Sequence, residues 1–281
     1  MGTGDDIRDD EIRVIGEGNS NAGKAARGKK TVIVAAIIAV MAAICVWAFM
    51  RNGHDGAAVD APEEVLDDTA ENTPAYTEVR DTAVAGIPLK IFIPHGAKPE
   101  VAVGNIDKAD SSIVLGAMAA DIGLDNGRWI VAGGFISKGR LVSHSKSKTG
   151  FCAIIGGAMT IGNAVNTELF EKCIEAGGDF FRQYALVDSG KPVSRDIQGK
   201  ARRRALCSFG GTVAIVETET SETLDDFANV LASIGANEGI TLVGSGSAPR
   251  WAVDNAGRRY EIGDMESRQP DVANYIVWRK K

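Results

Sequence analysis

The 281-residue chain carries a formal net charge of −6 and is 44% hydrophobic, enough apolar content for a folded domain. The acidic balance argues against nucleic acid as a partner, because gripping a phosphate backbone needs a concentrated basic face. Cys45 falls in an apolar stretch, and Cys152, Cys173 and Cys207 are compatible either with one disulfide and a spare thiol or with three buried free thiols, so cysteine leaves the redox compartment open.

Residues 1–30 open acidic, with Asp5, Asp6, Asp9, Asp10 and Glu11, and close basic. Only Ile12 to Ile15 could bury anything, too little to offset chain entropy, so a disordered cytoplasmic tail is expected. Its segment from Asp9 to Ile15 is a candidate docking site for a cytosolic partner. Gly18 to Lys24 outlines a phosphate-binding loop, but Ala25 stands where the motif needs Ser or Thr to hold magnesium, so nucleotide binding is not expected there.

Residues Thr31 to Met50 contain no charged side chain and are framed by Lys29, Lys30 and Arg51. As a helix this stretch would be roughly 30 Å long, the thickness of a bilayer's hydrocarbon core. It is longer than the usual core of a cleaved signal peptide, and Cys45 to Met50 is a poor cleavage context, so an uncleaved transmembrane signal anchor is expected. Lys24, Arg27, Lys29 and Lys30 before the span, and acidic residues after it, put the N-terminus inside and the rest outside. That makes the bulk extracytoplasmic, and periplasmic in a cell with an outer membrane. Residues 51–76, rich in Ala, Asp, Glu, Thr and Pro, read as a solvated acidic linker.

The remaining 77–281 form the expected extracytoplasmic domain. Short β-like runs bounded by glycine predict strands at Leu89 to Ile93, Trp129 to Ala132, Phe151 to Ile155, Ala158 to Ile161, Phe180 to Val187, Thr212 to Glu217 and Ile240 to Val243. Leu224, Phe227, Leu231 and Ile234 recur at helical spacing, with Thr223 to cap the start and Gly235 to close the end. A second helix is predicted from Thr167 to Ala176, burying Leu169, Phe170 and Cys173, and a third around Asp110 to Asp121. Strands outnumber helices without regular alternation, which predicts an α+β fold: a mixed, mainly antiparallel sheet with a few packed helices.

Four segments could hold chemistry. Ala132-Gly-Gly-Phe135 offers close backbone approach to a ligand. Phe181 to Val193 contains two strand pieces around Asp188-Ser-Gly-Lys191. Arg202-Arg-Arg204 leads into a strand, where alternation sends Arg203 to the face opposite its neighbours. Leu242-Val-Gly-Ser-Gly-Ser247 could form an anion-binding concavity. The commoner uses of such segments are tight turns, a solvated charge run and a flexible loop. His54, His95 and His144 lack ligand spacing, so neither a metal nor a cofactor is expected.

Taken in order, these segments resemble the phosphodiester glycosidase family, domains like N-acetylglucosamine-1-phosphodiester alpha-N-acetylglucosaminidase. Gly133, Gly134 and Phe135 match its Asn-Gly-Gly-Phe-Phe. Gln183, Leu186, Gly190 and Lys191 match a Gln-x-Gly-Pro-x-Leu-x-x-x-Gly-Lys strand pair, and Arg203, Ala205 and Leu206 an Arg-Thr-Ala-Ile-Gly strand. Ile234-Gly235 and then Leu242, Gly244, Gly246 and Ser247 match the Leu-Gly helix end and Leu-Asp-Gly-Gly-Gly-Ser. The resemblance spans about Ile87 to Trp278. It implies a sugar-1-phosphodiester ligand in an envelope glycan, held by Gly133, Gly134, Gln183, Arg203, Gly244, Ser245, Gly246 and Ser247, with Arg203 clamping phosphate.

The departures fall on proton-handling positions. Ala132 replaces the family's Asn and Val243 its Asp, and neither can serve as acid or base. Asp188 and Asp254 are the nearby carboxylates that could substitute. Three readings follow: a hydrolase for sugar phosphodiesters, a non-catalytic glycan- or protein-binding module on the same fold, and a structural envelope protein.

Overall fold

Short strands joined by tight turns dominate the chain, as its glycine punctuation predicts. The computed structural model describes residues 74–107, 110–145, 148–195, 197–244, 246, 248–263 and 271–280, all within the unit Asp67–Lys281. The tail, the apolar span, nearly all of the linker, Ser245 and Ser247 lie outside the described residues. Among the described residues no helix is long and apolar enough to cross a membrane.

In chain order the elements are β1 (Tyr76–Val84), β2 (Ile87–His95), β3 (Ala97–Val103), β4 (Ile113–Met118), β5 (Ile122–Asp125), β6 (Arg128–Val131), β7 (Phe135–Ser137), β8 (Arg140–Ser143), β9 (Gly150–Ile155), β10 (Ala158–Asn163), α1 (Glu168–Glu175), β11 (Asp179–Gln183), β12 (Ala185–Asp188), β13 (Lys191–Pro192), β14 (Arg204–Phe209), β15 (Thr212–Thr218), α2 (Leu224–Ser233), β16 (Glu238–Thr241), β17 (Arg250–Val253), β18 (Arg259–Ile262) and β19 (Asn274–Lys280). They form one seven-stranded sheet, β1-β2-β15-β14-β16-β12-β13, and two five-stranded sheets, β10-β9-β11-β7-β8 and β18-β17-β4-β19-β3. Among the described residues the ribbon β5-β6 joins no other sheet. The fold is therefore sheet-rich α+β. The sheets are not mixed, because strand pairing among the described residues is antiparallel.

Alternation along the strands assigns each face. Leu206 on β14 and Ile215 on β15 point into a central core that also takes Phe92, Leu115, Phe135, Phe181, Ile276 and Trp278, drawn from all three large sheets. Ala205, Cys207 and Val216, one residue out of phase, point the other way and pack under α2. That helix buries Leu224, Phe227, Ala228, Val230 and Leu231, and each of the larger side chains stabilises the sheet by about 1.5–3 kcal/mol. Helix α1 covers the outer face of the β9-β11-β7 sheet around Cys173, Phe151 and Phe180.

Two expectations are corrected. The helix expected around Asp110 to Asp121 is the strand β4, central in its sheet, with Ile113 to Ala117 all buried. A short apolar run buried on both faces has no diagnostic period, and Leu, Ala and Met made it look helical. The single strand expected from Phe180 to Val187 is two strands in different sheets, β11 and β12, with Tyr184 between them. The crossing brings backbones together tightly: a Cβ on Gly150 would sit 2.7 Å from both Ala185 N and Gln183 O, so only glycine fits. Gln183 is thereby placed at the seam between two sheets.

Candidate functional site

The chain crossing at Tyr184 gathers a polar cluster. Gln183 is buried, and its Nε2 donates to Ala119 O at 3.2 Å. Its Oε1 accepts from Lys148 Nζ at 2.9 Å, and Thr241 Oγ1 lies 3.5 Å from the same oxygen. Lys148 is only 6% exposed, yet its ammonium also reaches Asp121 Oδ2 at 2.5 Å and stands 5.1 Å from the centre of the Tyr184 ring. A lysine is rarely buried so deeply unless it is paired. Here the pairing carboxylate is half-exposed and opens toward solvent.

Asp121 is joined to the glycine turn through the main chain, since Ala132 N donates to Asp121 O at 2.7 Å. Gly133 follows with φ 119°, a conformation an L side chain rarely adopts, and a Cβ there would meet Arg182 O at 3.2 Å. Arg182, also buried, donates to Lys148 O, Ala164 O and Val165 O. It braces the turn from behind. The Ser143 hydroxyl hydrogen-bonds Gly133 O from the other side. From the opposite direction, Asn274 is fully buried and clamps the segment before Asp121: its Oδ1 accepts from Ala120 N at 2.7 Å and its Nδ2 donates to Ala120 O at 3.0 Å.

The fourth segment connects through its root. Met118 N donates to Pro249 O, and Arg204 donates to Val243 O, Ala248 O and Pro249 O, each at 3.2 Å. Arg204 is one of two buried arginines on Glu217: its Nε lies 2.6 Å from Glu217 Oε1, and Arg250 reaches the same carboxylate at 3.0 and 3.1 Å. Two guanidinium groups against one carboxylate leave a net positive charge beside the carbonyls of Val243, Ala248 and Pro249. Burial alone would raise the Glu217 carboxyl, but the two arginines hold it below its ordinary value.

Of the residues expected at a site, Gly133, Gly134 and Gln183 therefore meet, with Leu242 and Val243 tied in from behind. Gly244 abuts Arg202 O, the nearest atom to a Cβ added there at 3.5 Å, and Gly246 is exposed. Ser245 and Ser247 lie outside the described residues. Arg203 does not join them: its guanidinium donates to Glu222 O at 2.8 Å and Gly199 O at 2.6 Å, on the strand face opposite Arg204. The role expected of it as a phosphate clamp has no support in this placement. Asp188 accepts from Asn163 and Ser189 at a hairpin, and Asp254 closes the turn to Arg258, so neither replaces the missing carboxylate. Asp121 and Lys148 are the residues sequence reasoning missed. They are 27 positions apart, in segments without a motif, and no spacing signal could have paired them.

No family model matches the chain, and no curated protein does. Solved structures do share the fold. The catalytic domain of zebrafish N-acetylglucosamine-1-phosphodiester alpha-N-acetylglucosaminidase, auto-inhibited by its pro-peptide, aligns with a TM-score of 0.51 at 11% identity, over 75% of this chain and 85% of that one. A hypothetical protein from Synechocystis aligns with a TM-score of 0.50 at 12% identity, over 75% of this chain and 65% of that one. At this identity the likeness is one of fold.

Proposed function

We propose that this domain recognises a sugar-1-phosphodiester of an extracytoplasmic glycan beside the Gly133 turn, where the half-exposed carboxylate of Asp121 is paired with the buried Lys148, and that the span Thr31–Met50 tethers it to the membrane. The observation that carries the reading is the ammonium of Lys148, buried beside a close-approach glycine turn and shared by a neutral amide and a half-exposed carboxylate. Such a group is oriented before the ligand arrives. Asp121, held by Lys148, accepts hydrogen bonds from sugar hydroxyls, while main-chain groups of the Gly133 turn face the phosphate. The net positive charge of Arg204, Arg250 and Glu217 favours an anion. The fold shared with an N-acetylglucosamine-1-phosphodiester glycosidase supports the ligand class.

The replacement of Asn and Asp by Ala132 and Val243 favours recognition without turnover. Hydrolysis would need a side chain free to exchange a proton with water or the leaving oxygen, and Asp121 is engaged by the Lys148 ammonium at 2.5 Å. A protein or glycan partner with no phosphate is the remaining option. Titration of the full-length protein in detergent with UDP-N-acetylglucosamine tests the reading. Saturable binding is expected, weakened at least about tenfold in Lys148→Ala, as for loss of one charge-assisted hydrogen bond, and partly restored in Lys148→Arg. Binding unchanged in Lys148→Ala would overturn the assignment. Release of free sugar, lost in Asp121→Asn, would make the protein an enzyme.

A further inference from the structure

Among the described residues the ribbon β5-β6 pairs with no other strand, and it carries exposed apolar side chains. Trp251 and Trp278 are both 3% exposed, whereas Trp129 on β6 is 44% exposed. Its cross-strand partner, Leu124, is exposed as well. An uncovered indole beside further exposed aliphatic residues is the signature of a contact surface rather than of a core. Trp129 lines a cleft of about 850 Å3 together with Asp125, Asn126, Arg128, Gly133 and His144. Gly133 lines this cleft and belongs to the turn at the candidate site, so the two adjoin.

We infer that this cleft is a second glycosyl subsite, in which the Trp129 ring stacks against the apolar C–H face of a sugar adjoining the phosphodiester-linked one. This rests on the function proposed above. A pyranose presents one apolar face and a ring of hydroxyls, which calls for an aromatic platform with polar groups at its edge. Asp125, Asn126, Arg128 and His144 supply acceptors and donors around Trp129. The cleft also has apolar lining from Ile130, Val142 and Val272, but a lipid chain would need that wall to be continuous, and Asp125, Arg128 and His144 interrupt it. The Asn126-Gly127 turn, with φ 48° and 77°, holds the ribbon in a tight hairpin that carries the indole.

The test compares N-acetylglucosamine-1-phosphate with chitotriose-1-phosphate on the full-length protein, by titration calorimetry and tryptophan fluorescence. The wild type is expected to bind the trisaccharide at least tenfold more tightly and to show a fluorescence change on binding. Trp129→Ala is expected to remove both effects while leaving the monosaccharide affinity within twofold, and Trp129→Phe to keep part of the gain. Equal affinity for the two ligands in the wild type would overturn the subsite and leave the phosphosugar site standing. If neither ligand bound, both would fall. A gain with dodecyl phosphate that Trp129→Ala removes, without any gain from glycan length, would assign the cleft to lipid instead.

Discussion

At the scale of single residues, local backbone demands and side-chain choice mostly agree, and the exceptions are informative. Ala85, exposed at the β1-β2 turn, has φ 52°, a left-handed conformation that costs an L residue other than Gly, Asn or Asp roughly 1–2 kcal/mol. Nothing packs on it that would need a methyl group. Ala85→Asn is expected to raise stability by about 0.5–1 kcal/mol, read as a higher denaturation midpoint with unchanged steepness. Lys148 is the opposite case. Its sequence neighbours look like a polar loop, yet its side chain is among the most enclosed charges of the molecule, because the β11-β12 crossing builds a pocket for it.

Elements were legible where one physical signal dominated. The helix α2 runs Leu224–Ser233, close to the predicted span, since spacing and cap both mark it. The Thr223 side chain accepts from Asp226 N at 3.0 Å and donates to Asp226 Oδ2 at 2.7 Å. Thr223→Ala is expected to lower stability by about 1 kcal/mol, and Thr223→Ser to preserve it, by chemical denaturation followed by circular dichroism. The ribbon β5-β6 carries an equally plain signal, Asn126-Gly127 between apolar runs, although only its second strand was predicted. Strand β4 could not be told from a helix, because burial on both faces erases the alternation that identifies a strand.

For the whole molecule, stability converges on the buried Arg204–Glu217–Arg250 group, which joins the seven-stranded sheet to β17 of the third sheet. Removing the carboxylate strands two guanidinium groups away from water, so Glu217→Gln is expected to destabilise by about 3–5 kcal/mol. The pH dependence has a definite sign. The folded-state value of Glu217 lies below its ordinary 4.5, so its contribution is complete above that pH and is lost as acid carries the pH down through the lower folded value. Acid unfolding of the wild type should therefore steepen below about pH 4.5, with a shallower acid limb in Glu217→Gln. The three described cysteines are buried free thiols, and burial pushes Cys173 up to about 11, so this domain is held by its sheets and not by a disulfide.

By itself the sequence determined composition-level and local properties: an apolar span, glycine-bounded strands, two capped helices and a sheet-rich α+β class. These depend on residues near one another in the chain. It also carried the order of motifs that resembles a phosphodiester glycosidase. Only the tertiary structure decided which polar side chains meet. Arg203 and Arg204 differ by one position, and strand alternation sends one to the carbonyls of Gly199 and Glu222 and the other to those of Val243, Ala248 and Pro249. Asp121, Lys148 and Gln183 come from separate segments and are joined by a strand crossing between two sheets. Burial, not spacing, turns them into a cluster, because a charge removed from water must find its partner wherever the fold has placed one.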